Sequence, residues 1–279
     1  MKNAILGLIS VMLLTISCVE KEKKKEATEA MAKEVVNEIM VKGQEVTYMV
    51  DSLSMNGYIA FDENKTAKRP GIVVVHEWWG HNDYTRTRAN MLAELGYTAI
   101  AVDMYGDGKV AEHPEDAGKF SGMVMSNIDM AKARFNAALA QLRAHPSVDP
   151  EKIAAIGYCF GGSVVLTMAN AGMDLDVVAA FHSGVALPIM PTEDLKAKVL
   201  VCNGAADPFI PKASITAFKK AMDSVGAAYT YIAYEDAVHA FTSKGADSLG
   251  KKFNLPLAYQ EKADTASWQE LQQLLKNVF

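Results

Sequence analysis

The sequence predicts an α/β fold with a mostly parallel central sheet, helices on both faces, and a single domain. Short apolar segments such as GIVVVHE, KIAAIGY and KVLVCNG alternate with longer segments of helical periodicity. These strands are apolar on both faces, which is typical of parallel strands buried beneath helices. No change of composition divides the chain after about residue 40, so we expect one domain over residues 41–279.

The predicted elements follow one another in an order typical of this fold class. A hairpin comes first, with a turn expected near Met55–Gly57, and it should form an antiparallel edge of the sheet. The first helix should end at Gly96, and Pro146 should close the second. We predict strands at 43–52, 55–63, 71–77, 97–103, 152–158, 176–183, 198–204 and 228–234. We predict helices at 84–96, 126–145, 211–226 and 263–279, and a further helix that begins at Phe160 after the glycine turn.

Residues 1–17 have the pattern of a signal peptide. Lys2 precedes an apolar run that suits a secretory signal and is too short for a membrane-spanning helix. The run ends in LLTISC, which resembles a bacterial lipobox, so Cys18 is the expected lipidation site. A plain secretory signal is the alternative. Residues 18–40 are rich in Lys and Glu and predict a charged tether. The chain is therefore expected in the bacterial cell envelope, lipid-anchored to a membrane.

Composition and motifs argue against several other classes of protein. The net charge of −5, without a basic stripe, gives no support for nucleic-acid binding. Three cysteines cannot build a disulfide framework, and Cys202 fits the core of a strand. His76, Glu77 and His81 lack the spacing of a helical zinc motif, and no nucleotide-binding motif occurs. We expect no metal, no cofactor and a monomer.

Three reactive residues each follow a predicted strand. Cys159 lies in GYCFGG, Asp207 in GAADPFIP and His239 in EDAVHAF. Parallel strands place their carboxyl ends at one edge of the sheet, where functional groups gather. Taken singly, these are also a packed cysteine, a turn aspartate and a solvated histidine. Their chain order of nucleophile, acid and histidine is the order of α/β-hydrolases and favours a catalytic triad.

A triad of this kind predicts acyl transfer. His239 would take the proton of the Cys159 thiol, and Asp207 would orient the imidazole. The backbone N–H groups of Phe160 and Trp78 are the candidates for an oxyanion hole. Hydrolysis would then pass through an acyl-enzyme on Cys159.

Five segments together resemble the dienelactone hydrolase family, over about residue 45 to the C-terminus. They are GYCFGG, VHEWWG, AVDMYGDG, GAADPFIP and VHAF. The resemblance implies an α/β-hydrolase fold and a carboxymethylenebutenolidase-like activity on a small-molecule ester or lactone. In that family a glutamate interacts with the cysteine and takes part in switching it between thiol and thiolate. Glu77 occupies the matching position.

The sequence departs from the family where substrate is bound. Family members that act on carboxylated dienelactones have an arginine four residues after the histidine, whereas this chain has Ser243 followed by Lys244. Trp79, Tyr105 and Lys244 are our candidates for a substrate pocket, with packing as the alternative for Trp79. Two other functions stay open at this point. One is a thioesterase or other acyl hydrolase on the same site, and the other is a non-catalytic envelope binding protein on a hydrolase scaffold.

Overall fold

An eight-stranded sheet forms the centre of residues 38–279, the part of the chain that the computed structural model describes. Its strands are β1 (Val41–Val50), β2 (Leu53–Asp62), β3 (Arg69–Val75), β4 (Thr98–Val102), β5 (Val148–Tyr158), β6 (Val177–Phe181), β7 (Lys198–Gly204) and β8 (Tyr229–Tyr234). They lie in the order β1-β2-β4-β3-β5-β6-β7-β8. Strand β2 pairs antiparallel with β1 and with β4, and all other neighbours are parallel.

Helices cover both faces of this sheet. They are α1 (Asp83–Glu94), α2 (Pro114–Ser126), α3 (Ile128–Ala144), α4 (Phe160–Asn170), α5 (Lys212–Ser224), α6 (Ala246–Phe253) and α7 (Glu261–Val278). Helices α1 and α7 share one buried cluster with the sheet, and α2 to α5 share another. In β3, Ile72 and Val74 belong to the first cluster and Val73 and Val75 to the second. The predicted α/β fold, with its parallel strands apolar on both faces, is confirmed.

The predicted edge hairpin is present, but the turn predicted near Met55–Gly57 is wrong. The chain turns at Asp51 and Ser52, where Val50 pairs with Leu53 and Asp51 has a φ of 53°. Aspartate tolerates this left-handed conformation, so the turn forms without glycine. Asn56-Gly57 resembles a hairpin turn but lies within β2, because this register buries Met55 completely in the core.

Helices α2 and α6 were not predicted. The α2 segment contains Gly118 and Gly122, which weaken a helical pattern, and α6 has only eight residues. The signal peptide over residues 1–17, Cys18 and most of the 18–40 tether lie outside the described residues. Within residues 38–279, no helix has the length and apolar character that crossing a membrane requires.

Candidate active site

The carboxyl edge of the sheet brings together residues far apart in sequence. Cys159 follows β5, Asp207 lies beyond β7, and His239 lies beyond β8. Cys159 and His239 line one cavity of about 410 Å³, which we call the Cys159 cavity, together with Trp78 and Phe160. Because parallel strands end side by side, three separate strand ends deliver a thiol, an imidazole and a carboxylate to one place.

Cys159 lies on a sharp turn between β5 and α4. Its backbone has φ 54° and ψ −117°, a conformation that residues other than glycine rarely adopt. The turn is held by the Cys159 N–H, which donates to the Phe181 carbonyl at 2.9 Å. A Cβ on Gly157 would overlap the Gly161 carbonyl, and one on Gly161 would overlap the Val75 carbonyl. The glycines of GYCFGG therefore permit the close backbone approach that presents the thiol at the sheet edge.

Asp207 and His239 form a buried pair. His239 Nδ1 lies 2.7 Å from Asp207 Oδ2, and the other carboxylate oxygen of Asp207 accepts the Phe209 N–H at 2.9 Å. A carboxylate only accepts hydrogen bonds, so the ring hydrogen of neutral His239 is on Nδ1. This leaves Nε2 as the proton acceptor of the ring.

The surroundings of His239 favour its protonated form. Burial alone would lower the pKa of His239, but the negative charge of the Cys159 thiolate and the hydrogen bond to Asp207 outweigh it and raise the pKa to about 10. His239 therefore carries a second ring proton at neutral pH, in contact with the Asp207 carboxylate.

Two backbone N–H groups at the Cys159 cavity, those of Phe160 and Trp78, donate no hydrogen bond within residues 38–279. Phe160 is the first residue of α4, where the helix dipole favours negative charge. Trp78 lies in the loop after β3 and lines the same cavity. The role of these two N–H groups as an oxyanion hole stays a prediction from the sequence.

Side chains beneath this loop fix its path. The His76 ring lies with Nδ1 2.5 Å from the Glu77 carbonyl, and its Nε2 accepts the Met104 N–H at 3.2 Å. Burial lowers the pKa of His76 to about 4, so the ring is neutral and its Nδ1–H donates to the Glu77 carbonyl. Tyr105 donates its hydroxyl hydrogen to the Trp78 carbonyl at 2.8 Å. Tyr105 is buried and supports the loop from below, and it does not line the Cys159 cavity.

Asp103 organises the neighbouring loop, and sequence reasoning missed it. Its buried carboxylate accepts the N–H groups of Tyr105 at 2.9 Å, Gly106 at 2.7 Å and Gly108 at 2.9 Å. Arg134 of α3 donates to the Tyr105 carbonyl at 3.1 Å from below. The available signal was its position at the end of the predicted strand YTAIAVD, because Cys159 was identified by its position at the end of a strand.

Glu77 lies at a second cavity of about 830 Å³, which we call the Glu77 cavity. Its side chain is 5% exposed and accepts no hydrogen bond within residues 38–279. Burial raises the pKa of Glu77 to about 7, against the opposing effects of nearby His239 and Arg88. Trp79, Ser243 and Lys244 line the Glu77 cavity, and none of them lines the Cys159 cavity.

Arg88 is a second residue that sequence reasoning missed. This α1 side chain donates to the Thr242 carbonyl at 2.7 Å and to Asp264 Oδ1 at 2.6 Å, and it lies over the Trp268 ring. It therefore ties the loop that follows His239 to helices α1 and α7. Its partners lie more than 150 residues away in sequence, so no local pattern could reveal them.

His182 lies beside His239, and sequence reasoning missed it as well. The two rings are 5.3 Å apart in an edge-on arrangement, and His182 Nε2 lies 2.7 Å from the Thr242 hydroxyl. Burial holds the pKa of His182 well below its usual range, so the ring stays neutral. A neutral His182 avoids a second positive charge next to His239.

Other side-chain chemistry is limited in the described part of the chain. Cys202 is a buried free thiol of β7, as predicted from its apolar strand. Within residues 38–279, no three His, Cys, Asp or Glu side chains form a cluster able to hold a metal ion.

The sheet and its carboxyl edge define the class of protein. An eight-stranded, mostly parallel sheet flanked by helices, with a strained strand-to-helix turn beside an Asp–His pair, is an α/β-hydrolase fold. Within this class, the model of the dienelactone hydrolase family matches residues 55–279. The chain belongs to that family and is a hydrolase acting on esters.

Individual relatives agree with this assignment. The solved structure named m3DLH is 35% identical, covers 86% of this chain and 99% of its own, and has a TM-score of 0.81. A dienelactone hydrolase-like promiscuous phosphotriesterase from metagenomic libraries is 33% identical over 86% of this chain and 99% of its own, with a TM-score of 0.79. Protein usf of Aquifex pyrophilus is 28% identical over 72% of this chain and 88% of its own length. A Synechocystis sp. protein that carries the name carboxymethylenebutenolidase is 24% identical over 85% of this chain and 97% of its own length.

Proposed function

We propose that this chain hydrolyses ester or lactone bonds of small molecules through a Cys159–His239–Asp207 triad. The observation that carries the proposal is the 2.7 Å contact between His239 Nδ1 and Asp207 Oδ2, with His239 and Cys159 lining one cavity. An oriented imidazole beside a thiol on a strained turn is the arrangement that nucleophilic acyl transfer needs.

The proposed reaction has two balanced steps. The Cys159 thiolate attacks the carbonyl carbon, and the N–H groups of Phe160 and Trp78 bind the oxyanion that forms. The carbon–oxygen bond breaks as protonated His239 gives its proton to the leaving alkoxide. Neutral His239 then takes a proton from water, the hydroxide attacks the thioester, and the acid leaves as the thiolate forms again.

Glu77 is proposed to modulate this pair. Burial raises the pKa of its carboxyl to about 7, so it changes charge near neutral pH. An ionised Glu77 favours the imidazolium form of His239, and a protonated Glu77 removes that support. The family resemblance of HEWWG supports a role in switching Cys159 between thiol and thiolate.

The triad is tested with small aryl esters and enol lactones. Cys159→Ala and His239→Ala should each lose nearly all hydrolysis, whereas Cys202→Ala, a change of the other free thiol of the described chain, should keep it. Iodoacetamide at neutral pH should inactivate wild type and leave a label on Cys159. Wild-type rates in both triad variants would refute the proposal.

We also propose that the protein is a lipid-anchored monomer of the bacterial cell envelope. The sequence of residues 1–17 and the lipobox-like LLTISC support cleavage before Cys18 and acylation of its thiol. Residues 18–40 would then space the domain from the membrane. Radiolabelled palmitate should enter the wild-type protein and not Cys18→Ser, and the variant should leave the membrane fraction. Light scattering of residues 38–279 should give the mass of one chain.

A further inference from the structure

Two glycines of α2, Gly118 and Gly122, line the Cys159 cavity at positions where the local structure does not require glycine. Gly118 and Gly122 share one face of α2 with Ser121 and Met125, which also line the cavity. Neither glycine has a positive φ, and a Cβ built on either meets no atom within 4 Å. Neither backbone conformation nor crowding therefore requires glycine here.

Glycine has a cost at these positions. Inside a helix it is less favourable than alanine because the unfolded chain loses more conformational freedom on folding. The glycines of the Cys159 turn differ, since a Cβ on Gly161 would overlap backbone atoms. What Gly118 and Gly122 have in common is a place in the lining of the Cys159 cavity with open space around the Cβ position, which a larger side chain would fill.

A second part of the wall is small and uncharged as well. Gly184, Ala186 and Pro188 line it, and Ser163 of α4 lies beside them with its hydroxyl donated to the Gly184 carbonyl at 2.9 Å. No Lys, Arg, Asp or Glu of the described chain lines the Cys159 cavity. Lys244, a candidate for the substrate pocket, lines the Glu77 cavity instead.

From these observations we propose that Gly118 and Gly122 are specificity-determining residues, and that the site accepts esters with bulky, uncharged acyl groups. The inference rests on the proposed function. The acyl group stays bonded to Cys159 through both steps, whereas the alcohol leaves after the first. Space that is kept open in the Cys159 cavity therefore serves the acyl group, and the described lining has no Lys or Arg to pair with a carboxylate on it.

The test keeps p-nitrophenol as the leaving group and varies only the acyl group. Wild type should hydrolyse p-nitrophenyl benzoate efficiently and should prefer p-nitrophenyl valerate to the monoester of glutaric acid, which carries a carboxylate. Gly118→Leu and Gly122→Leu should lower kcat/KM for the benzoate about tenfold or more, since steric mismatch in an apolar site has effects of that size. Their kcat/KM for the acetate should stay within about threefold of wild type, because acetyl needs little of this space.

Gly245→Leu is the matched control, because Gly245 also has open space around a Cβ, has no positive φ, and lines the Glu77 cavity. It should leave the ratio of benzoate to acetate rates unchanged. A double variant, Gly118→Ala with Gly122→Ala, tests the same inference with small side chains that suit a helix, so the test does not depend on folding of the leucine variants. It should raise the thermal midpoint, since alanine favours the helix, and still lower the benzoate-to-acetate ratio.

The outcomes separate this inference from the proposed function. Equal losses on benzoate and acetate, an unchanged ratio, or a preference for the glutaric monoester would overturn the specificity role while leaving the ester hydrolase intact. A wild-type protein that hydrolyses none of these esters would overturn the proposed function, and the inference with it.

Discussion

The Asp207→Asn substitution tests the tautomer of His239. One oxygen of Asp207 accepts the Phe209 N–H at 2.9 Å, and the other faces His239 Nδ1 at 2.7 Å, with no exposure of the side chain. An asparagine keeps the Phe209 bond only by placing its amide oxygen there, which turns its NH₂ group toward Nδ1. A donor at that position requires Nδ1 without hydrogen, so the ring hydrogen moves to Nε2. The imidazole then cannot take the proton of Cys159.

The expected loss follows from this reversal. Wrong-tautomer substitutions of this kind in serine triads lower kcat by about 10⁴-fold. A thiol is intrinsically more nucleophilic than a hydroxyl, so we expect kcat/KM to fall by about 10³- to 10⁴-fold, or about 4 to 5.5 kcal/mol of transition-state stabilisation. KM should change little, because Asp207 does not line the Cys159 cavity.

The assay is hydrolysis of p-nitrophenyl acetate at pH 7.5, with iodoacetamide alkylation of Cys159 measured in parallel. Both rates should fall, since both depend on the thiolate. Asp223→Asn is the matched control: its carboxylate accepts one hydrogen bond, from the Tyr229 hydroxyl at 2.9 Å, at an exposed site. The reasoning is refuted if Asp207→Asn keeps kcat/KM within about threefold of the control, because a tautomer reversal should cost far more.

Three further substitutions test the surroundings of the site. Burial raises the pKa of Glu77 from 4.5 to about 7. The contribution of this group to the free energy of unfolding is therefore fully present below pH 4.5 and is lost as the pH rises through 7. Urea unfolding of wild type relative to Glu77→Gln should therefore show a loss of about 3 kcal/mol across that window, and a constant difference would contradict it. Tyr105→Phe removes the 2.8 Å hydrogen bond to the Trp78 carbonyl and should lower the free energy of unfolding by about 1 kcal/mol. It should also lower kcat, with a smaller change in KM. Equal effects on kcat and KM would exclude a role of Tyr105 in positioning the loop that contains Trp78. Arg88→Met removes the cationic partner of the Asp264 carboxylate, whose side chain is 14% exposed, and should lower the free energy of unfolding in guanidinium chloride by about 3 kcal/mol. A loss below about 1 kcal/mol would mean that this pair behaves as a surface ion pair.

Most of the sheet could be predicted because its signal is local. The apolar runs GIVVVHE, KIAAIGY and KVLVCNG become strands β3, β5 and β7, since only strands covered on both faces need such continuous apolarity. The hairpin turn could not be placed from local sequence. Asn56-Gly57 and Asp51-Ser52 are both turn signals, and the choice between them depends on which register buries Met55 beneath the sheet.

Helix α2 shows a different limit. Its two glycines weaken the helical pattern, yet the segment is helical and forms a wall of the Cys159 cavity. Packing of Ala117 and Val124 against the domain outweighs the low propensity of Gly118 and Gly122. Helix propensities of single residues do not include this contribution of tertiary packing.

The sequence by itself determined the reactive groups at the sheet edge. Cys159, Asp207 and His239 each follow a strand, so a parallel sheet is sufficient to predict their meeting. Only the tertiary structure decided which of the two cavities each nearby side chain lines. It places Trp78 beside Cys159 and puts Trp79 and Lys244 at the Glu77 cavity, although these tryptophans are adjacent in the chain. The physical reason is that strand order fixes where a loop begins, whereas the direction of each side chain depends on distant partners such as Tyr105, which no local pattern contains.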